Sequence, residues 1–230
     1  MYLSRIQLNP QRRDARRLLG SPQRLHAAVL ASYPDAPTGA LDGAPRVLWR
    51  LDVEPDARTF LYVVSPDRPD FAHLAEQAGW PSTERGTSKE YGPFLDRLAP
   101  GQRWAFRLTA NPTQYVVPEH GGRAKRVAHV SVPHQEKWLT ERAESAGFHI
   151  AMTPLPGVDS DVAAPVLRVT RRTTHQFSRR GADKPVTLAA AQFDGVLVVH
   201  DADVLRRTLI AGIGPGKAYG CGLLTLAPVS

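Results

Sequence analysis

Cysteine is almost absent from this sequence, since Cys221 is the only one among 230 residues. A single cysteine excludes an intramolecular disulfide framework and any zinc or iron–sulfur site built from several cysteines. Long apolar runs are absent as well, because none approaches the roughly 18–20 residues that a membrane helix needs. The first residues lack the basic and apolar regions of a secretory signal. We therefore expect a protein of the reducing cytoplasm with no membrane partner.

Lysine is scarce, whereas arginine is abundant. The chain contains 5 Lys and 24 Arg and has a formal net charge of +7. A guanidinium group binds phosphate through two N–H groups and stacks on bases, so this excess favours a nucleic-acid partner. A GC-rich genome is the alternative explanation, because it also enriches arginine. The apolar fraction of 42% is typical of a globular chain and excludes a disordered one.

The positive charge is concentrated in two stretches. Residues 11–24 contain five arginines beside Asp14, and residues 165–185 contain six basic residues beside Asp183. The second stretch lies on two predicted strands, 165–177 and 185–199, joined by a turn. A basic two-stranded ribbon fits a nucleic-acid groove, where it would contact phosphates. A solvated hairpin face is the alternative interpretation.

The predicted elements have the order β-α-β-β-α-β in the first half of the chain. Alternating apolar residues predict the strands, and a Ser21 cap followed by Pro22 predicts the first helix. This order is that of a ferredoxin-like domain. A second, decorated set with the same order is predicted in the second half. The expected fold class is α+β, with tandem ferredoxin-like domains at 1–112 and 134–230 and a linker at 113–133.

Residues 212–222, GIGPGKAYGCG, form a glycine-rich loop between a predicted helix and a predicted strand. Five glycines in eleven residues predict repeated positive φ angles or a close approach of the backbone to another group. Exposed N–H groups beside Lys217 would bind an anion. The spacing is not that of a P-loop, because Ala218 follows the lysine, and a structural turn remains the alternative.

The C-terminal stretch GIGPGKAYGCGLLTLAP resembles the glycine-rich signature of the RAMP superfamily of CRISPR-associated proteins. In the form GxGPGKAxGxGLL it is similar to the CasE (Cse3-like) type of repeat-processing endoribonuclease from type I-E systems. The segments LSRIQLNP (3–10), FRLTANP (106–112) and GRAKRVAHVS (122–131) resemble that family too. The resemblance covers essentially the whole chain.

The resemblance implies a function in antiviral defence by CRISPR. The enzyme would cut CRISPR precursor RNA without metal or cofactor, at the 3′ base of the repeat hairpin. The products would carry a 2′,3′-cyclic phosphate and a 5′-hydroxyl. The protein would keep the crRNA and act as a subunit of Cascade. The alternatives are a crRNA-binding subunit of the same superfamily without nuclease activity, and a DNA-binding ferredoxin-like regulator.

The resemblance also implies a catalytic residue, His26. It lies in SPQRLHAAV, at the place of the family's catalytic histidine in the first helix. Some relatives have a tyrosine three residues earlier, where this chain has Gln23, which cannot exchange a proton. His26 would then act on a 2′-hydroxyl that the RNA itself positions, or together with Arg24 or Lys217, which would stabilise charge. The unplaced alternatives for the second proton carrier are Tyr2, Tyr33 and Tyr219.

Charge and resemblance together predict a set of RNA contacts. They are Arg12, Arg13, Arg24, Lys125, Arg126, Arg168, Arg171, Arg172, His175, Arg179, Arg180, Lys184, Gly212, Gly214, Gly216 and Lys217. Three other histidines, His120, His129 and His134, do not have the spacing of a metal motif, and no metal site is expected. Cys221 lies between glycines without an evident base and is interpreted as a packed residue.

Overall fold

The computed structural model describes residues 1–33, 46–81, 86–118, 121–154, 163–177 and 186–229. The chain divides into two compact units. The first unit comprises Met1–Arg97, Ile210–Gly212 and Gly216–Leu223. The second unit comprises Leu98–Leu209, Ile213–Pro215 and Leu224–Ser230. The glycine-rich loop therefore contributes residues to both units.

The first unit is built on a four-stranded antiparallel sheet with the order β2-β3-β1-β4. Its elements are β1 (Tyr2–Leu8), α1 (Arg13–Leu19), α2 (Pro22–Leu30), β2 (Leu48–Val53), β3 (Thr59–Ser65), α3 (Ala72–Ala78), β4 (Thr87–Glu90), α4 (Gly92–Leu95) and a 3₁₀ turn at Lys217–Tyr219. The strands and helices predicted from apolar patterns are confirmed. The sequence did not predict β4, because its residues TSKE are polar and mostly exposed.

The core of the first unit lies between this sheet and its helices. Alternate residues of β1, Ile6 and Leu8, are buried there, as period-two patterning requires. Helix α2 contributes Leu25 and Val29, which are four residues apart and so share one helix face. Trp49 of β2 is 3% exposed in the same core.

The second unit is built on a second antiparallel sheet. Its main order is β11-β12-β5-β13, and β8 also pairs with β12. The elements from β5 onward are β5 (Arg103–Ala110), β6 (Thr113–Val116), β7 (Lys125–Ala128), α5 (Val132–Ala143), a 3₁₀ turn at Glu144–Ala146, β8 (Phe148–Ile150), β9 (Met152–Pro154), β10 (Ala163–Pro165), β11 (Leu167–Phe177), β12 (Val186–Val199), α6 (Ala202–Ala211) and β13 (Leu224–Ala227). The chain thus has a mixed α+β fold with antiparallel sheets.

Strand β5 belongs to a different sheet from the one that the sequence analysis assigned to it. It pairs with β12 and β13, and not with the strands of the first unit. The observed boundary lies between Arg97 and Leu98, and not at residue 112. The alternation in β5 predicts a strand but contains no information about which strands it pairs with.

Residues 113–133, predicted as a linker, contain regular structure instead. Strands β6 and β7 pair as an antiparallel ribbon, and α5 begins at Val132. These strands are mostly exposed and polar, so they show no buried face in the sequence. Within the described residues, none of the helices has the length and apolar character that a bilayer span requires.

Candidate active site and RNA-binding surfaces

Helix α2 holds the predicted catalytic histidine. Ser21 caps the helix, because its hydroxyl accepts a hydrogen bond from the backbone N–H of Arg24, and Pro22 occupies the first turn. Leu25 and Val29 fix one face of the helix in the core. His26 follows Leu25 and is half-buried at the edge of that core. Its position is therefore set by a capped and packed helix rather than by a loop.

The ring of His26 has a defined partner. The indole Nε1 of Trp49 donates a hydrogen bond to Nδ1 of His26 at 3.2 Å. Burial lowers the pKa of His26 below its ordinary value. The ring is therefore neutral near pH 7, and Trp49 fixes its orientation.

The glycine-rich loop packs against the same tryptophan. Gly220 has a φ of +80°, and a Cβ at this position would lie 2.6 Å from Cζ3 of Trp49. A Cβ at Gly212 would lie 3.0 Å from Cδ1 of Leu48. A Cβ at Gly214 would lie 2.8 Å from the ring of Trp138. The prediction of positive φ is confirmed for all five glycines. Packing against side chains explains three of them, at Gly212, Gly214 and Gly220.

Lys217 lies in the 3₁₀ turn of this loop, which packs against α2 and β2. Its side chain is half-buried. Burial lowers the pKa of Lys217, and the nearby charge of Arg46 lowers it further. In the first unit, Lys217, the predicted cation, therefore lies on an element that packs against α2, the helix that carries His26.

A buried arginine that the sequence analysis did not identify holds this arrangement. Arg50 is 1% exposed and binds both carboxylate oxygens of Asp52, at 2.7 and 2.8 Å. Its Nη1 donates to the carbonyl oxygen of Leu223 at 3.0 Å. The pair therefore ties β2 to the end of the glycine-rich loop. The signal in the sequence was Arg50 and Asp52 in an otherwise apolar strand, at positions that share one face.

The other predicted proton carriers differ in their surroundings. Burial raises the pKa of Tyr33 to about 12, which makes it a poor base at neutral pH. Tyr219 is half-buried in the 3₁₀ turn that packs against α2, whereas Tyr2 lies on β1. Gln23 is half-buried one turn before His26. Tyr219 therefore lies on an element that packs against the helix that carries His26.

The arginines around α1 and α2 do not all extend into solvent. Arg12 donates to the carbonyl oxygen of Gly79 at 3.1 Å and is half-buried. Arg13 and Arg24 are exposed. Two of the three predicted RNA contacts in this part of the first unit are therefore accessible.

A basic strand, β11, carries the predicted contacts of the second unit. A β-bulge lies between Val169 and Arg171, so Arg168 is opposite Asp194 and Arg171 is opposite Gln192. Asp194 and Gln192 share a face of β12, so Arg168 and Arg171 share that face too. Arg172 is on the other face, where it donates to the carbonyl oxygen of Val130 at 3.2 Å. The bulge therefore determines which of the three arginines share a face.

His175 is half-buried on the same strand. Burial lowers its pKa, and the neighbouring charge of Arg171 adds to this effect. Three further predicted contacts, Arg179, Arg180 and Lys184, lie outside the described residues.

Lys125 and Arg126 are exposed on β7. Arg126 donates to the hydroxyl of Tyr115 at 2.6 Å and lies over its ring. A cavity of about 680 Å³ lies beside this ribbon and α5. It is lined by Thr113, Gln114, Tyr115, Arg126, His129, His134, Lys137, Trp138, Glu141, Arg142, Gly214 and Pro215. Its charged lining is mainly basic, as an anionic ligand requires.

The histidines considered for a metal are not arranged as ligands. The rings of His129 and His134 stack at 5.9 Å, and His134 Nδ1 lies 2.6 Å from the hydroxyl of Ser131. His120 lies outside the described residues. Cys221 is fully buried, and burial raises the pKa of its thiol to about 12. A thiol in this state is unreactive, in agreement with a packing role.

The family model described as CRISPR associated protein matches residues 1–228. The CRISPR-associated endoribonuclease Cse3 of Thermus thermophilus is 32% identical over 238 residues, which span 99% of this chain and 100% of that protein. The CRISPR system Cascade subunit CasE of Escherichia coli K12 is 31% identical over 194 residues, 79% of this chain and 89% of that protein. A solved structure of CRISPR endoribonuclease Cse3 bound to a 19-nucleotide RNA has a TM-score of 0.77 at 31% identity and covers 99% of this chain and 100% of that chain.

The matches extend over both units and include the segments that suggested the relationship from sequence. They agree with the mixed α+β fold and its antiparallel sheets. The chain therefore belongs to the family of CRISPR-associated proteins, in its Cse3/CasE group.

Proposed function

We propose that this protein is an endoribonuclease that cleaves CRISPR precursor RNA at the 3′ base of the repeat hairpin. It retains the product as a subunit of a Cascade complex. The observation that carries this proposal is the full-length similarity to an endoribonuclease of the same group. Two observations support it: Trp49 donates a hydrogen bond to the His26 ring, and the capped helix that carries His26 packs against the 3₁₀ turn of the glycine-rich loop.

Both units fit a ferredoxin-like plan. In the first unit, β1, β2, β3 and β4 form a sheet with the order β2-β3-β1-β4 and have helices between β1 and β2 and between β3 and β4. In the second unit, β5, β11, β12 and β13 have the same relative order, β11-β12-β5-β13, with α5 and α6 in the equivalent connections. This correspondence supports a tandem ferredoxin-like arrangement.

The proposed reaction is an attack of the ribose 2′-hydroxyl on the adjacent phosphorus. The 2′-oxygen forms a bond to phosphorus and the bond to the 5′-oxygen breaks. Solvent water takes the proton of the 2′-hydroxyl and gives one to the leaving 5′-oxygen. The products are a 2′,3′-cyclic phosphate and a 5′-hydroxyl. A hydrogen-bond donor such as His26, placed where negative charge develops, contributes typically about 10²- to 10³-fold. Lys217, or Arg24 on the same helix, would stabilise the additional negative charge of the phosphorane.

The RNA hairpin would be recognised mainly through its backbone. Side chains do not read the deep major groove of A-form RNA, so recognition relies on phosphates, 2′-hydroxyls and unpaired ends. Arg168 and Arg171 are exposed on one face of β11 and have the charge and reach for phosphate contacts. The basic cavity beside β7 is a second candidate surface. The remaining predicted contacts stay in the proposal, with Arg12 and Arg172 already bonded to backbone carbonyls.

Gln23 favours a second candidate function. An amide cannot exchange a proton at neutral pH, so a mechanism that needs a proton carrier at this position would be lost. The protein would then bind the crRNA hairpin without cleaving it.

One experiment separates these two functions. The protein is incubated in EDTA with its own repeat RNA, beside His26→Ala and a control, His200→Ala, which removes an exposed histidine from the second unit. Cleavage by wild type and control that is about 10²-fold or more slower in His26→Ala, with equal binding in a mobility-shift assay, supports the endoribonuclease. Tight binding without cleavage by any of the three supports the non-catalytic subunit. Absence of hairpin binding contradicts both.

A further inference from the structure

Trp49 determines which nitrogen of His26 carries the hydrogen. An indole N–H is a donor and never an acceptor. Since Trp49 Nε1 lies 3.2 Å from His26 Nδ1, that nitrogen presents its lone pair. A neutral imidazole carries one hydrogen, which must then be on Nε2.

We propose that Trp49 is a positioning residue that holds His26 as the neutral Nε2–H tautomer, so that His26 meets the RNA as a hydrogen-bond donor. This inference rests on the proposed function of His26 at the cleavage site. It defines what the histidine offers there, which the similarity to known relatives does not.

The surroundings of Trp49 prevent its ring from turning away. Its side chain is 3% exposed, and Gly220 lies directly against its six-membered ring. The next residue, Arg50, ties β2 to Asp52 and to the carbonyl oxygen of Leu223. The donor is therefore fixed by a buried strand and by the glycine-rich loop together.

The indole N–H also opposes protonation of His26. A cationic ring carries hydrogens on both nitrogens, and the hydrogen on Nδ1 would face the hydrogen of the indole. This effect acts in the same direction as burial, which lowers the pKa of His26. The neutral state is thus favoured by two separate features of the site.

The fixed tautomer restricts the chemistry of His26. To remove the proton of the 2′-hydroxyl, Nε2 would need a free lone pair. The hydrogen would then be on Nδ1, and the hydrogen bond from Trp49 would be broken. With its hydrogen on Nε2, the ring donates a hydrogen bond to an oxygen of the scissile phosphate as negative charge develops there. No proton leaves the ring in this role.

The direct test is NMR of the free, full-length protein with ¹⁵N-labelled histidine, at a pH above the pKa of His26. Long-range ¹H–¹⁵N correlations identify which ring nitrogen carries the hydrogen. We expect Nε2–H for His26 in the wild type and a mixture of tautomers in Trp49→Phe, which keeps an aromatic ring but lacks the donor. The matched control is Trp104→Phe, which also loses one indole hydrogen bond, to Gln102 Oε1, and lies in the second unit. Nδ1–H in the wild type, or the same pattern in wild type and Trp49→Phe, would overturn the proposal.

A titration in the same samples gives a second measurement. The pKa of His26 should rise in Trp49→Phe and stay unchanged in Trp104→Phe. The charged or titratable groups on α2 and on the elements packed against it are Arg24, Arg13, Asp14, Arg16, Arg17, Arg50, Asp52, Lys217, Tyr219 and His73. All of them are retained in both variants, so a change of pKa reports the lost indole hydrogen bond.

Cleavage measured in single turnover distinguishes positioning from a general structural effect. Trp49→Phe should cleave about 3- to 10-fold more slowly, the range for one neutral hydrogen bond, with unchanged RNA affinity. In a His26→Ala background the same substitution should have no further effect, because Trp49 acts through His26. An equal loss in both backgrounds would contradict the proposal. If the wild type does not cleave at all, the proposed function fails, and the NMR result still decides the tautomer.

Discussion

Gly220 lies against the ring of Trp49, close enough that a Cβ at position 220 would meet two further ring atoms, at 2.8 and 3.1 Å, besides Cζ3. The glycine-rich loop therefore supports the side chain that holds His26. This contact gives the loop a role within the first unit that does not depend on a bound phosphate.

Gly220→Ala should impair both stability and cleavage. The added Cβ meets Trp49, and alanine is strained at a φ of +80°. Together these effects should lower the free energy of unfolding by about 2 kcal/mol or more. Urea unfolding and a cleavage assay measure the two effects. Gly101→Ala is the control, because Gly101 has a φ of +83° but no atom of the described residues within 4 Å of its Cβ position. Equal losses of stability and of cleavage activity in the two variants would show that the contact between Gly220 and Trp49 has no importance.

Asp52→Asn should destabilise the first unit strongly. It removes the charge of the carboxylate that accepts two hydrogen bonds from Arg50, which is 1% exposed. Removal of one partner from a buried ion pair typically lowers stability by about 3–5 kcal/mol. The control is Asp56→Asn, which breaks the exposed pair with Arg58 at the same sequence spacing. Unfolding in urea should show a large change for the first substitution and little for the second, and the reverse order would refute the role of Arg50.

Arg168 and Arg171 should contribute to RNA affinity through phosphate contacts. Replacement of either by glutamine should weaken hairpin binding and lower the slope of log affinity against log salt by roughly 0.7–1. Arg207→Gln on α6 is the control, because it removes an exposed arginine from outside the basic strand. The measurement is a filter-binding titration at several salt concentrations. Unchanged slopes for both β11 variants would remove this strand from the RNA-binding surface.

His26 should make the protein less stable in acid. Burial lowers its pKa in the folded state below the ordinary value of 6.5. The unfolded chain therefore binds the proton first as the pH falls, and the stability contributed above pH 6.5 is lost between 6.5 and the lowered pKa. His26→Gln should flatten this part of the pH profile of unfolding free energy. A profile that is identical in the two proteins would contradict the burial of the ring.

Cys221 should be inert in the folded protein. Its thiol is fully buried, and its pKa is raised to about 12. We expect no reaction with iodoacetamide until the protein is unfolded, and full cleavage activity for Cys221→Ser if that variant folds. Rapid labelling of the native protein would show that the end of the glycine-rich loop opens.

The sequence predicted the elements of the core well, and the relationships between distant residues poorly. Alternation in β1 and β3 and the capping of α2 depend on neighbouring residues, so they could be recognised directly. The partners of β5 could not, because Phe106 and Leu108 would pack equally well in either sheet. The β-bulge beside Arg171 also had no sequence signal, although it determines which arginines share a face.

In the candidate site, too, local patterns could be recognised from the sequence, whereas contacts between distant residues could not. The position of His26 was predicted through a resemblance of short segments. Its bond to Trp49 joins residues 23 positions apart on α2 and β2, and no local pattern indicates it. The glycine-rich loop was recognised as unusual, but no local pattern indicated its packing against the side chains of Leu48, Trp49 and Trp138. Close packing of a backbone against a ring requires glycine just as a phosphate does.

The central claim is that the RNA supplies its own nucleophile, and one substrate tests it directly. A repeat hairpin with a single 2′-deoxynucleotide at the 5′ side of the cleaved bond is compared with the all-ribose RNA, in EDTA. We predict that the protein cleaves the all-ribose RNA to a 2′,3′-cyclic phosphate, and that it binds the modified RNA equally well without cleaving it. Cleavage of the modified RNA at the same position would contradict the account, because an attacking group other than the 2′-hydroxyl would then be required.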